Sequence, residues 1–252
     1  MGQGMAVNER QNRTLLFVHV PKTAGTTLRV VVQQQYLGQG LFVISHDIQK
    51  ERRRFAALDE QEKRGLRAVY GHMVWGWHEH LLPGQPHAYI TMLRDPAERV
   101  LSLYAHARLK EHYLGPDVGR MGLVQFLRSG VTMTPDNGMV RQLCGRDEFL
   151  QKPWGDMSIP HGDVTRADLE AAKANLRACA VVGVSEHFDA FIETMRQRFA
   201  WRVGGWQDEN VTRWERRSRA SLDRREMAAI EEATVLDREL YDLALELVRG
   251  QG

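Results

Sequence analysis

Twice in this chain an apolar run passes through a short polar turn into an amphipathic helix, with basic or hydroxyl residues at the point of change. The first segment is Val18-His19-Val20-Pro21-Lys22-Thr23-Ala24-Gly25-Thr26-Thr27-Leu28. The second is Leu93-Arg94-Asp95-Pro96-Ala97-Glu98-Arg99-Val100-Leu101-Ser102-Leu103-Tyr104. A strand-to-helix turn leaves backbone N–H groups unpaired at the positive end of the helix dipole, which makes it an anion site. Two such turns in one sheet can hold two separated anionic groups of a single ligand.

The remaining periodicity fits the same fold class. Strands are predicted over Leu15–Val20, Leu41–Ser45, Ala68–Tyr70, Ala88–Leu93 and Ala180–Val184, and helices over Thr26–Tyr36, Pro96 to about Lys110, Asp168–Arg177 and Phe188–Phe199. Asp47–Arg67 reads as an exposed helix and loop with Phe55, Leu58 and Leu66 as a sparse apolar face. Tyr113–Pro160 is weaker, with helices near Leu123–Leu127 and Asn137–Cys144, and Leu222–Val248 reads as one long closing helix. Alternating strands and helices predict an α/β fold whose mostly parallel central sheet is flanked by helices on both faces. No linker, repeat or low-complexity tract divides the 252 residues, so a single domain is expected, residues 1–13 being a flexible N-terminus.

Charge and cysteine content exclude several classes. Lys+Arg 34 against Asp+Glu 32 gives a formal +2, too balanced to argue for nucleic acid. Arg213, Arg216, Arg217, Arg219, Arg224 and Arg225 nevertheless crowd together, either as a solvated surface or as a wall facing an anionic ligand. Two cysteines, Cys144 and Cys179, are too few for a disulfide framework. With no signal-peptide core or membrane span, the chain is expected to be soluble and cytoplasmic.

In the first turn Gly25 lets a ligand approach the backbone, Thr26 and Thr27 open the helix with hydroxyl donors, and Lys22 can reach a terminal anion. The order differs from Gly-x-x-x-x-Gly-Lys-Ser/Thr, where lysine follows the second glycine. In the second turn Arg94 ends a buried strand, where α/β sheets bind ligands, and Ser102 follows two helical turns later. Arg99 reads as a structural ion-pair residue rather than a ligand contact.

His-Val-Pro-Lys-Thr-Ala-Gly-Thr-Thr-Leu resembles the 5′-phosphosulfate-binding loop of sulfotransferases that use 3′-phosphoadenosine 5′-phosphosulfate (PAPS). Leu-Arg-Asp-Pro-x-x-Arg-x-x-Ser-x-Tyr resembles their 3′-phosphate segment. The similarity is to the carbohydrate-modifying group that includes the heparan sulfate 2-O-sulfotransferases. It extends through Tyr70-Gly71-His72, Asp136-Asn137, Arg141-Gln142-Leu143, Val182–Phe188, Asn210-Val211-Thr212 and Leu236–Tyr241. The resemblance implies a P-loop-like fold. It implies that Lys22, Thr23, Ala24, Gly25, Thr26 and Thr27 contact the phosphosulfate, and that Arg94 and Ser102 contact the 3′-phosphate. It further implies in-line transfer of a sulfuryl group to a hydroxyl of a saccharide-like acceptor, with no metal required. The missing anchor departs from the animal Golgi enzymes and suggests a bacterial cytosolic enzyme or an excised catalytic domain.

A hydroxyl acceptor needs a general base, and histidine titrates closest to neutral pH. His72, following a short strand and Gly71, is the candidate; where the 2-O branch has His-Gly-His, this chain has Tyr70 in the first place. His19 reads as a strand residue that could brace the loop. Trp75, Trp77 and Arg141 are candidates for contact with the acceptor, the tryptophans by stacking on a sugar face. His78 and His80 lack a third ligand at metal geometry. Two other classes stay open: a metal-dependent kinase or nucleotide hydrolase with Mg2+ on Asp95, and a non-catalytic module that binds PAPS or an anionic glycan.

Overall fold

In the computed structural model, residues 13–45, 47–109, 117–148, 157–204 and 217–251 are described. Thr14–Val18 forms β1, whose five residues are all buried. A strand of Leu, Phe and Val covered on both faces belongs in the middle of a parallel sheet. Around it stand β2 (Leu41–Ile44), β3 (Ala68–Gly71), β4 (His87–Leu93) and β5 (Val181–Val184), in the order β2-β3-β1-β4-β5 with every pairing parallel. The fold is α/β with a wholly parallel five-stranded sheet among the described residues.

Alternation along each strand divides the core. Leu15, Phe17, Tyr70, Ile90 and Met92 face one layer, built by α1 (Gly25–Tyr36) through Leu28, Val31 and Val32 and by α8 (Phe188–Phe199) through Phe191, Ile192 and Met195. Leu16, Val18, Val69, Leu93 and Val182 face the other. There they meet α6 (Gly138–Leu143), α7 (Arg166–Ala178) and α10 (Val235–Arg249). The charged stretch after β2 forms two short helices, α2 (Ile48–Ala56) and α3 (Glu60–Gly65). Phe55 of α2 is buried edge-on against Phe42 and Trp77, and Asp59 and Glu62 form a capping box on α3. A satellite cluster joins α4 (Pro96–Leu109), α5 (Leu123–Arg128) and α9 (Arg224–Ala233).

The expected long closing helix is two helices, α9 and α10, broken at Thr234 (φ -130, ψ 20). The cause is a side chain from elsewhere in the sequence. The Asn137 N–H donates to the Ala233 carbonyl, and Asn137 Oδ1 accepts from the N–H groups of Leu236 (2.9 Å) and Asp237 (3.2 Å), starting a new helix. Asp237 is wholly buried and accepts from Arg99 at 3.1 Å and from the N–H groups of Met139 and Val140. The reading of Arg99 as an ion-pair residue agrees with this geometry. The Asn210-Val211-Thr212 segment, Arg213, Arg216 and residues 1–12 lie outside the described residues.

Removing one partner of a buried ion pair strands the other charge in the core. Asp237→Asn keeps an acceptor for the two backbone N–H groups but leaves the Arg99 guanidinium unpaired, so it should lower unfolding free energy by about 3–5 kcal/mol. Adding Arg99→Met should restore part of the loss. Chemical denaturation checks both, and a loss under about 1 kcal/mol, the range of exposed pairs, would contradict the burial.

Candidate active site

β1 leads to β2 on its β3 side, and the chain later crosses from β3 to β4 on the opposite side of β1, so the strand order reverses there. A crevice opens outside the carboxyl ends of the strands at such a switch point. Both anion turns lie at this edge, one after β1 and one after β4.

The first turn has an unusual backbone. Lys22 (φ 72) and Ala24 (φ 60) are both left-handed, a conformation that non-glycine residues adopt at a cost of about 1–2 kcal/mol each. Thr23 turns inward, its hydroxyl donating to the Val20 carbonyl at 2.8 Å. Ala24 precedes α1 and offers no capping side chain, so the helix terminus is left to the backbone and to whatever anion meets it. Gly25 and Thr27 are buried, while Lys22 and Thr26 are half-buried. Only glycine fits at position 25, because a Cβ there would stand 1.5 Å from His19 Nε2.

The second turn touches the first. An Arg94 NH1 hydrogen bond of 3.2 Å to the Lys22 carbonyl ties the end of β4 to the loop after β1. Arg94 also faces Glu98 at 3.8 Å. Asp95 caps α4, accepting from the N–H groups of Ala97 (3.0 Å) and Glu98 (3.1 Å), and is paired with Arg238 at 2.7 Å. Ser102 lies two turns into α4 and is buried.

Beside the lysine turn, β3 delivers His72, half-buried at the same edge. His72 Nδ1 lies 3.3 Å from the His19 carbonyl, and the two imidazoles stack with centroids 4.3 Å apart. His19 also stacks on Tyr70, with centroids 5.5 Å apart, and the buried Tyr70 hydroxyl donates to the Gly25 carbonyl at 2.5 Å. Burial pushes the Tyr70 phenol far above its ordinary range, so it remains a neutral donor. The rings of Tyr70, His19 and His72 thus run from the first helix turn to the candidate base. Gln142 also donates to the His19 carbonyl, and sequence alone marks His19 as a brace for the loop but gives Gln142 no chemical role. The available signal for Gln142 was an amide among apolar helix residues, which must find a partner when buried.

The three acceptor candidates are engaged within the protein to different degrees, Arg141 and Trp77 being buried and Trp75 half-buried. Arg141 is fully buried. It is consumed by Asp136, by Asp147 at 3.0 Å, and by the carbonyls of Asp136, Ile159 and Pro160. Trp77 is 2 % exposed and packs against Phe55. Trp75 has one ring face covered by Tyr89 at 3.9 Å, beside mid-strand β4 rather than at its carboxyl end. For Trp77, packing outweighs presenting the ring to solvent.

Other candidates separate from this edge. His78 bonds the Tyr89 hydroxyl at 2.9 Å and stacks on His87, beside a shallow hollow at the amino end of β4. Burial, with the neighbouring His87, lowers the His78 pKa. Among the described residues, no group of three or more His, Cys, Asp or Glu could hold a metal ion. Of the arginine run, Arg217 is paired with Glu226, and Arg219, Arg224 and Arg225 are exposed. Among the described residues no helix is long and apolar enough to cross a membrane.

No protein-family model matches the chain. Among curated proteins, it is 28% identical over 276 residues to heparan-sulfate 6-O-sulfotransferase 1-A of Danio rerio, covering 91% of this chain and 63% of that protein. It is 26% identical over 280 residues to the Homo sapiens heparan-sulfate 6-O-sulfotransferase 1, covering 92% and 65%. A Gallus gallus heparan-sulfate 6-O-sulfotransferase 2 is 27% identical over 192 residues, covering 66% and 45%. The chain therefore spans 63% and 65% of the first two proteins named. These matches relate it to the carbohydrate sulfotransferases, through relatives of 6-O rather than 2-O name.

Asp95 allows a direct check of the second turn. Burial works to raise its carboxyl, but the hydrogen bond from Arg238 and the N–H groups of Glu98 and Ala97 outweigh it and hold the pKa below the usual range. A depressed folded pKa contributes stability that is present above the unfolded value near 4 and is lost as pH falls through the folded one. Asp95→Ala should cost about 1–2 kcal/mol at neutral pH. In denaturant titrations, the gap between wild type and variant should narrow below about pH 4; a constant gap would show that the carboxylate charge is not involved.

Proposed function

We propose that the chain is a PAPS-dependent sulfotransferase that moves a sulfuryl group to a hydroxyl of a saccharide-like acceptor. The single observation that carries the reading is the Arg94–Lys22 hydrogen bond, which brings two anion-binding turns together at the sheet's switch point beside His72. A donor with a phosphosulfate at one end and a ribose phosphate at the other needs two such sites within reach of each other. Two left-handed residues at a helix start without a capping side chain fit the first; an arginine with a serine two turns into a helix fits the second.

In this reading Lys22, with Thr23, Ala24, Gly25, Thr26 and Thr27 around it, receives the phosphosulfate, and Arg94 with Ser102 receives the 3′-phosphate. His72 takes the proton of the acceptor hydroxyl as the new sulfur–oxygen bond forms. Lys22 stabilises charge on the phosphate oxygen as its bond to sulfur breaks, leaving 3′-phosphoadenosine 5′-phosphate. The work asked of the protein is positioning and electrostatic stabilisation, as in phosphoryl transfer. The 6-O name of the relatives favours a primary sugar hydroxyl over the ring hydroxyl of the 2-O branch. A kinase or nucleotide hydrolase reading would need Asp95 for Mg2+, and that carboxylate is already engaged by Arg238 and the start of α4.

Transfer from labelled PAPS to a panel of glycans tests the reading, and absence of PAPS binding would sink it. His72→Ala should lower kcat about 10²–10⁴-fold with donor binding intact. Lys22→Ala should lower kcat about 10²–10³-fold. Arg94→Ala should instead raise the Kd for 3′-phosphoadenosine 5′-phosphate about 10–100-fold, the value of one or two charge-assisted hydrogen bonds. Calorimetry separates the two kinds of loss, and equal effects of all three variants on Kd would contradict the division of roles.

A further inference from the structure

One buried amide grips the loops that carry the chemistry. Gln142 in α6 is 1% exposed, and its Nε2 donates to the carbonyls of His19 (2.8 Å) and Met73 (3.1 Å). Its own backbone carbonyl accepts from the Trp75 N–H at 2.8 Å. The His19 carbonyl is the atom that faces His72 Nδ1, and Met73 follows His72 in the chain. The two N–H donors of one amide therefore span the residues beyond β1 and β3, one facing His72 and one following it in the chain.

We propose that Gln142 is a positioning residue that fixes the orientation and tautomer of His72. A carbonyl oxygen only accepts, so the ring nitrogen facing it must carry the hydrogen. That puts the proton on Nδ1 and the lone pair on Nε2, the nitrogen turned away from the His19 carbonyl. Stacking on His19 at 4.3 Å holds the ring plane, and the carbonyl held by Gln142 selects which nitrogen faces inward. The inference rests on the reading of His72 as general base. When Nε2 takes the acceptor's proton, Nδ1 keeps its own, and the imidazolium retains its bond to the His19 carbonyl.

Neither of the two nearest-sized replacements without an amide donor does this at position 142. Glutamate turns a carboxylate toward two carbonyl lone pairs, and leucine leaves both carbonyls buried without their amide donor. Asp237 holds the Met139 and Val140 N–H groups, which fixes the helix from which Gln142 reaches.

The test labels the ten histidines with 15N and assigns His72 by comparison with His72→Asn. In the wild type, neutral His72 should be protonated at Nδ1; a proton on Nε2 would overturn the proposal whatever the variants do. Gln142→Leu and Gln142→Glu should give mixed tautomers and lower kcat about 10–100-fold, the scale of a small misplacement of a catalytic group. Their Kd for 3′-phosphoadenosine 5′-phosphate should stay within about twofold, since neither phosphate site includes residue 142. Unchanged tautomer and kcat in Gln142→Leu, or a parallel loss of kcat, donor affinity and melting temperature, would also overturn it. Full transfer by His72→Ala would sink the base assignment alone, because the tautomer is read without turnover.

Discussion

A carboxylate without water must be satisfied by the chain around it, and that of Asp237 is satisfied by two distant segments at once. Arg99 reaches it from α4, and the N–H groups of Met139 and Val140 reach it from the start of α6. Asn137 completes the joint by ending α9 and starting α10. Breaking a buried ion pair is costly, and Arg99 meets Asp237 and the Thr134 carbonyl through Nη2 while its Nε and Nη1 have no hydrogen-bond partner among the described residues, so loss of Asp237 would leave the guanidinium poorly satisfied. Each helix meeting there brings something to the carboxyl edge of the sheet. α4 carries Ser102 and follows directly on the turn that holds Arg94, α6 carries Gln142, and α10 carries Arg238, which pairs with Asp95. The joint thus anchors the helices that lead into and away from the edge loops.

The lysine turn shows what that rigidity is used for. Two left-handed non-glycine residues are unfavourable, yet three side-chain hydrogen bonds hold the turn from different directions. Thr23 bonds Val20 from within, Arg94 bonds the Lys22 carbonyl from β4, and Tyr70 bonds the Gly25 carbonyl from β3. At about 1 kcal/mol net apiece, three bonds offset strain of about 1–2 kcal/mol at each of two residues. With carbonyls turned back into the protein, the backbone at the helix start is left to face the crevice. Strain held in this way is a mark of a site shaped before its ligand arrives.

The features legible in sequence were those carried by local pattern. The apolar runs located β1 and β4 to within two residues at each end, and the polar turns behind them located both edge loops. The break between α9 and α10 was not legible, because Leu222–Val248 keeps helical spacing throughout and the interrupting Asn137 is remote. Arg141 looked like an acceptor contact because an arginine sequence position carries no sign of burial; Asp136 and Asp147 decide that in three dimensions. Gln142 belongs to a segment of the resemblance, yet its task was not legible for a related reason. A side chain that serves two carbonyls leaves no spacing signature, since those carbonyls belong to every residue type.

Tyr70 shows how the geometry reassigns a difference seen in sequence. Where the 2-O branch has His-Gly-His, this chain has Tyr70-Gly71-His72. In the fold each position has a separate task. Gly71 (φ 151) lies so close to β2 that a Cβ would meet the Ile44 carbonyl oxygen at 2.3 Å. Tyr70 points into the layer shared with α1, is buried, and braces the Gly25 carbonyl, while His72 remains at the half-buried edge. Exchanging histidine for tyrosine at 70 therefore acts on the bracing of the first anion turn. His72 is not left isolated by that exchange: the imidazole in contact with it comes from His19, beyond the end of the neighbouring strand. Tyrosine suits the position because its hydroxyl reaches past the His19 ring to the helix start, and burial keeps that hydroxyl protonated as a donor.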